Sequence, residues 1–323
     1  MFPVIDVTAW ERLNTEQMGT KPKFWCLDQS GVEFLFKESR SHAGEHWSEK
    51  VAAEIAEALG LPHAEIELAI CDGKNGTLSK NFLSPTEPSS LIHGNELLFE
   101  HDPAYPKEAP NFRLAQHTLD RIFTGLSRAD VRLPDGYTGP QNVTSACELF
   151  VGYLLLDALI VNTDRHHANW AVITSPNMDG TMLVEIAPTF DHASSLGREL
   201  TDERRVAKLT AEKKRHELQH QVRHHSQTVV GYLEKDEGRS RIYASEQDAK
   251  PLHPMQVFEK AREKFPDAAE AWINRLATVE MTGFETIISE VPPDVMSQPM
   301  RDFSLCLIDL NCTALITRTF QYA

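Results

Sequence analysis

The sequence predicts an α+β protein of two lobes, a small sheet-rich lobe over residues 1–82 and a larger, mainly helical lobe over residues 83–323. Three observations predict it. Short β-prone runs separated by turn residues fill the first part of the chain, and helical periodicity takes over from about Pro85. The 323 residues, 41% hydrophobic and 24% charged, are enough for a substantial core, at roughly 100 to 200 residues per domain.

Residues 24–27 and 32–37 flank Asp28-Gln29-Ser30-Gly31, which is turn chemistry, so the pair predicts a hairpin. Residues 48–59 place Val51, Ala52, Ile55, Ala56 and Leu59 on one helical face, and Gly60 and Pro62 stop the helix. Residues 65–70 alternate as a strand, Asp72-Gly73 and Asn75-Gly76 are turn signals, and residues 76–82 return as a further strand. Three prolines in residues 100–110 predict a loop, followed by helices over 112–126 and 144–161. The second of these is apolar nearly all round, as a helix at the centre of a domain must be. Residues 202–227 predict a charged, exposed helix, and a polar loop runs to Leu252. Amphipathic helices follow over 255–264 and 268–279, and a mostly apolar one over 303–317.

Composition excludes several functions. Lys and Arg number 32 against 47 Asp and Glu, a formal charge of −15, which repels a nucleic-acid backbone and disfavours direct nucleic-acid binding. The five cysteines are scattered and never spaced CxxC, so neither a disulfide framework nor a cysteine zinc site is indicated and a reducing cytoplasm fits. The N-terminus carries no basic and then apolar signal sequence, and the longest apolar stretch, residues 149–161, is too short to span a bilayer and contains Asp157. A soluble, cytoplasmic protein with no membrane partner is expected.

The chemistry concentrates in residues 161–173. Asp164 and Asn169 stand five apart between a buried helix and a β-prone run. This is the DxxxxN of a kinase catalytic loop, where the aspartate accepts a hydroxyl proton and the asparagine oxygen binds Mg²⁺. Asp191 follows an apolar run and offers a second metal carboxylate. Upstream, Lys37 ends a β-prone run, as a phosphate-pairing lysine does, and Glu49 on the next helix is placed to hold it. Gly19, Thr20, Lys21 and Lys23 precede the hairpin and bring backbone amides and lysines to phosphates, although the full GxGxxG pattern is absent.

With these residues in place the sequence resembles the HipA-like serine/threonine kinases, the toxin kinases of bacterial toxin–antitoxin modules and their relatives. Residues 162–170 look like the family's TDxHxxN loop, and Pro188-Thr189-Phe190-Asp191 looks like its P-x-[YF]-D metal motif. Residues 49–62 are similar to the glutamate-bearing helix, and residues 19–23 to the GxQxK phosphate loop. Ser79, Asn81 and Phe82 fall in the place of the adenine-holding hinge, without the family's arginine and aspartate after phenylalanine. The resemblance runs over about residues 15–200 and implies a protein-kinase-like fold, with ATP and Mg²⁺ as cofactors and a protein hydroxyl as acceptor. A toxin role and an antitoxin-like regulatory partner belong to the same implication. The chain begins almost directly at the phosphate loop, so the extra N-terminal subdomain of full-length toxin kinases is expected to be missing.

Two other readings stand beside this one. A pseudokinase-like binding module would keep the fold without transfer, against which stands the retention of the base and both metal positions. His216-Glu217-Leu218-Gln219-His220 matches the HExxH of zinc proteases. Its neighbours are charged, Glu212 to Arg215 before and Arg223 to His225 after, so it lacks the apolar side that packs a zinc site into a domain.

Overall fold

The computed structural model describes the chain except for residues 16–21, 41–42, 84–87, 111–112, 178, 218–224, 235–238 and 320–323. Its first part is a six-stranded sheet of β1 (Val4–Asp6), β2 (Glu11–Thr15), β3 (Lys23–Leu27), β4 (Glu33–Glu38), β5 (Ile66–Cys71) and β6 (Lys74–Lys80). The strand order is β1-β5-β6-β4-β3-β2, antiparallel throughout except for β1 on β5. The β3–β4 hairpin closes as its residues dictate. Asp28 accepts the N–H groups of Ser30 and Val32 at 2.8 Å, and Gly31 takes a left-handed φ of 81°.

Helix α1 (Glu45–Leu59) packs its apolar face beneath this sheet and ends at Gly60, in the left-handed conformation. It begins three residues before the expected start, at Glu45 rather than Ser48. Strands β1 and β2 carry no readable period, being short and charged; β2 is an edge strand whose order comes from pairing with β3. Asp72-Gly73 makes the expected turn, but Asn75-Gly76 lies inside β6. Gly76 serves close approach there, since a Cβ at that position would sit 2.4 Å from the Lys37 carbonyl oxygen.

Strands are less scarce beyond Pro85 than the periodicity implies. β7 (Ser90–His93), β8 (Ala171–Pro176) and β9 (Met182–Ile186) form a second antiparallel sheet. Helix α2 (Gly94–His101) follows β7. Helix α3 spans only Leu119–Arg128, because Thr118 caps it by accepting the Arg121 N–H at 3.3 Å, which excludes residues 113–118. Helix α4 (Ala146–Ile160) starts at a Ser145/Glu148 capping box and is buried almost throughout.

Helices α5 (Asp202–Glu217), α6 (Val229–Leu233), α7 (Pro254–Lys264), α8 (Pro266–Ala277), α9 (Met281–Glu290) and α10 (Gln298–Thr317) follow; α7, α8 and α10 pack on α4, and α5, α6 and α9 on α10. Helices α2, α6 and α9 are too short to announce themselves by period. Helix α5 is not exposed all round, because Arg205, Glu212 and Arg215 are buried. Arg205 donates to the Gly197 and Arg198 carbonyls, and Glu212 accepts the Val229 and Val230 N–H groups. These charges are inside because they satisfy backbone groups of neighbouring segments. No helix among the described residues is long and apolar enough to cross a membrane.

Gly152 is where α4 meets α8 most closely. A Cβ there would lie 2.5 Å from the buried Trp272 ring and 2.7 Å from Leu61. Gly152→Ala should therefore lower stability by about 1–2 kcal/mol net of its gain in helix propensity, read as a fall in urea midpoint with unchanged slope.

Candidate active site

Strand register and one helix face build the cationic end of the site. Lys37 in β4 lies opposite Thr77 in β6. Lys37 Nζ is 3.4 Å from Glu49 Oε1 of α1 and 3.6 Å from Asp191 Oδ1. The Thr77 hydroxyl donates to the other oxygen of Glu49 at 3.3 Å. Burial works against the Lys37 ammonium, but Asp191 and Glu49 outweigh it and hold it above the ordinary lysine range. Helix α1 is itself tied to the segment after Asp191. Ser48 Oγ donates to the Ser195 carbonyl at 3.0 Å, and Arg198 pairs with Glu45 at 2.7 Å.

The loop that carries Asp164 leaves α4 through Val161, whose φ of 55° is an outlier for a β-branched residue. Asn162 secures that turn by donating from Nδ2 to Asp157 Oδ1 at 2.8 Å. Arg165 then folds inward, 1% exposed, and donates from Nε and Nη2 to the two Asp157 oxygens at 2.8 Å each. Its remaining donors reach the Asn169 carbonyl at 2.6 Å, the Thr189 hydroxyl at 3.0 Å and His192 Nε2 at 3.1 Å. One guanidinium thus sets α4, the loop and the residues either side of Asp191.

Asn169 donates from Nδ2 to the Asp164 carbonyl at 2.8 Å, which leaves the amide oxygen as the atom that could bind a metal. Asp191, at a left-handed φ of 60°, presents its carboxylate beside Lys37. Backbone strain of this kind persists only where surrounding contacts over-determine it. Asp164 Oδ1 accepts from Arg241 Nε at 3.2 Å. Burial raises the Asp164 pKa, and Arg241 opposes the rise.

A cavity of about 390 Å³ opens from this cluster. Lys23, Lys37, Asn169 and Asp191 line its polar end, and Trp25, Leu35, Phe82, Leu83, Leu91 and Phe190 its apolar walls. An apolar slot ending in a cation and two metal-type oxygen donors suits a planar base joined to a polyphosphate. Ser79 and Asn81 also line it, but the Asn81 side chain is engaged, donating to Glu33 at 2.8 Å and accepting from the Leu83 N–H at 3.0 Å. Gly19, Thr20 and Lys21 lie outside the described residues, between β2 and β3.

No protein-family model and no curated protein matches the sequence. Among solved structures, the chain is similar to the Helicobacter pylori proinflammatory kinase CtkA, with a TM-score of 0.68 at 18% identity over 98% of each chain. It is also similar to HipA of Shewanella oneidensis MR-1, solved in a toxin–antitoxin complex with HipB and operator DNA, with a TM-score of 0.56 at 12% identity. That match covers 95% of this chain and 65% of the other. The fold is that of a protein kinase.

On this fold, five residues singled out from the sequence come together around one cleft: Lys37, Glu49, Asn169 and Asp191, with Asp164 beside them. Sequence reasoning passed over Thr77, Asp157, Arg165, His192 and Arg241. Asp157 had a signal, being a carboxylate inside an apolar helix that must find a buried partner, and Arg165 lies within the loop motif itself. Arg241 had none. In the HExxH segment, His216 is exposed and 3.5 Å from Glu212, and Leu218, Gln219 and His220 lie outside the described residues. The described residues contain no group of three or more His, Cys, Asp or Glu placed to hold a metal.

Two outcomes are expected. Asp157→Ala strands the buried Arg165 charge and should destabilise the protein by about 3–5 kcal/mol in chemical denaturation. Burial pushes His117 down to about 3 and His166 and His167 to about 4, whereas an unfolded histidine titrates near ~6.5. Between those values the unfolded chain binds protons that the native state refuses. Stability should therefore fall as pH drops below ~6.5, and urea midpoints at about pH 7.5 and about pH 5 measure it.

Proposed function

We propose that the chain is an ATP-dependent serine/threonine protein kinase of the HipA-like kind. The observation that carries this reading is the convergence of Glu49 and Asp191 on Lys37, at 3.4 Å and 3.6 Å, where Lys37 and Asp191 line the polar end of an apolar cavity. When bound, ATP supplies the γ-phosphoryl group, and Mg²⁺ neutralises its charge. Asn169 and Asp191 are the residues that would hold the metal. Lys37, fixed by Glu49, neutralises nucleotide phosphates. Asp164 orients the acceptor hydroxyl and takes its proton as the new oxygen–phosphorus bond forms and the bond to the leaving ADP oxygen breaks.

Catalysis of this type is mainly positioning and charge neutralisation, and each residue named has one of those tasks. The narrower reading, a cytoplasmic toxin kinase restrained by an antitoxin-like protein, is supported by the HipA-like motifs. Growth arrest on induced expression, absent for Asp164→Ala, would carry it.

The direct test is incubation of the purified protein with labelled ATP and Mg²⁺. Asp164→Ala should abolish transfer while leaving ATP affinity within a few-fold, because the base faces the acceptor. Equal phosphorylation by variant and wild type would remove the assignment. Asp191→Asn should weaken Mg²⁺-dependent nucleotide binding by removing a charged ligand, and calorimetric titration with and without Mg²⁺ reads it.

A further inference from the structure

Within the catalytic loop, the positively charged or protonatable side chains are all turned to structural work. Arg165 is buried on Asp157. His166 Nδ1 accepts the Ala168 N–H at 3.1 Å, so it carries no proton there. His167 Nδ1 lies 3.0 Å from the buried Tyr105 hydroxyl. Lys37 stands at the nucleotide end, beside Glu49 and Asp191. Among the described residues, a cation reaches Asp164 from far along the chain, where Arg241 Nε donates to Oδ1 at 3.2 Å.

Arg241 is presented by a fixed strap of backbone. Ser240 N–H donates to the Leu252 carbonyl at 2.8 Å, and Leu252 N–H donates back to Ile242 at 2.8 Å. Tyr243 N–H donates to the His117 carbonyl at 3.0 Å. Trp170 Nε1 donates to His117 Nε2 at 3.2 Å, which leaves the ring proton on Nδ1 to donate to the Arg241 carbonyl at 3.0 Å. Ile242 is fully buried, while the side chains of Arg241 and Asp164 meet about one-third exposed. A rigidly held main chain with a solvent-facing arginine aimed at one carboxylate oxygen is not a packing device.

Resting on the kinase reading of Asp164, we infer that Arg241 is a positioning residue for phosphoryl transfer. It fixes Oδ1, so that Oδ2 is the oxygen turned to the acceptor hydroxyl, and it places a guanidinium directly on the carboxylate, where Arg165 of the loop is turned away to Asp157. The acceptor proton then passes to Oδ2, the acceptor oxygen bonds to the γ-phosphorus, and ADP leaves with the electron pair of the broken bond.

Three forms of the full chain test this: wild type, Arg241→Ala and Arg241→Lys, each checked for an unchanged thermal midpoint. In steady-state transfer from labelled ATP, Arg241→Ala should lower kcat by about 10²-fold, as loss of one preorganised electrostatic donor does. KM for ATP should stay within two-fold (~0.5–2 times wild type). Arg241→Lys should recover part of the loss, and added guanidinium, compared with sodium chloride at equal ionic strength, should raise kcat of Arg241→Ala but not of Asp164→Ala. Unchanged kcat in Arg241→Ala overturns the inference while the kinase reading survives. A higher kcat also overturns it, because the arginine would then mask the base. Loss of kcat with no guanidinium rescue and no recovery by lysine overturns it in favour of a purely structural role. A wild-type protein that transfers nothing removes the kinase reading and this inference together.

Discussion

The architecture of the cleft depends on one buried ion pair. Asp157 sits within an apolar helix, and alone it would carry a desolvation penalty of several kcal/mol. Arg165 answers it bidentately at 2.8 Å and uses its remaining donors on Asn169, Thr189 and His192. Such a pair adds little net stability over well-packed apolar groups. What it adds is placement. The central helix, the loop that ends at Asn169 and the residues flanking Asp191 are referred to a single planar group, so their relative positions follow from guanidinium geometry.

Imidazoles complete that frame. His93 Nδ1 faces the Ala168 carbonyl at 3.0 Å, His117 links Trp170 to Arg241, and His192 Nε2 lies 2.8 Å from the Thr189 hydroxyl. A neutral ring donates from one nitrogen and accepts at the other, which makes it a two-ended connector between segments distant in sequence. Burial keeps His117, His166, His167 and His192 below the ordinary histidine range. The field in the cleft is therefore left to the lysines, arginines and carboxylates, Lys23, Lys37 and Arg241 among them.

How much of this was legible depends on what fixed each residue. The gathering of Lys37, Glu49, Asp164, Asn169 and Asp191 was readable because local spacing and chain order mark each of them. The β3–β4 hairpin was readable because Asp28 and Gly31 act on their immediate neighbours. Thr77 was not, since its partnership with Glu49 exists only once β6 is registered against β4. Arg241 reaches Asp164 from a segment whose order comes from pairing with residues 117 and 252, a tertiary fact without a local pattern. The buried face of α5 was hidden for the opposite reason. Charged residues signal solvent until a neighbouring backbone claims them. Asn75-Gly76 misled because glycine marks both turns and close approaches, and composition does not distinguish them.

The tether between α1 and the segment after Asp191 has a mechanical consequence. Ser48 and Glu45 are bonded to Ser195 and Arg198, so the helix that carries Glu49 is anchored to the same frame as Asp164 and Asp191. Lys37 rides on the six-stranded sheet, and that sheet is fastened to the same helix by Lys50 at the Ile66 carbonyl and by Thr77 at Glu49. Any tilt of the sheet over the cleft must therefore drag the helix with it or part these bonds together with the Lys37–Asp191 pair. The Glu49 carboxylate is thus a rivet, pinned from the sheet by Lys37 and Thr77 and from below by its own helix.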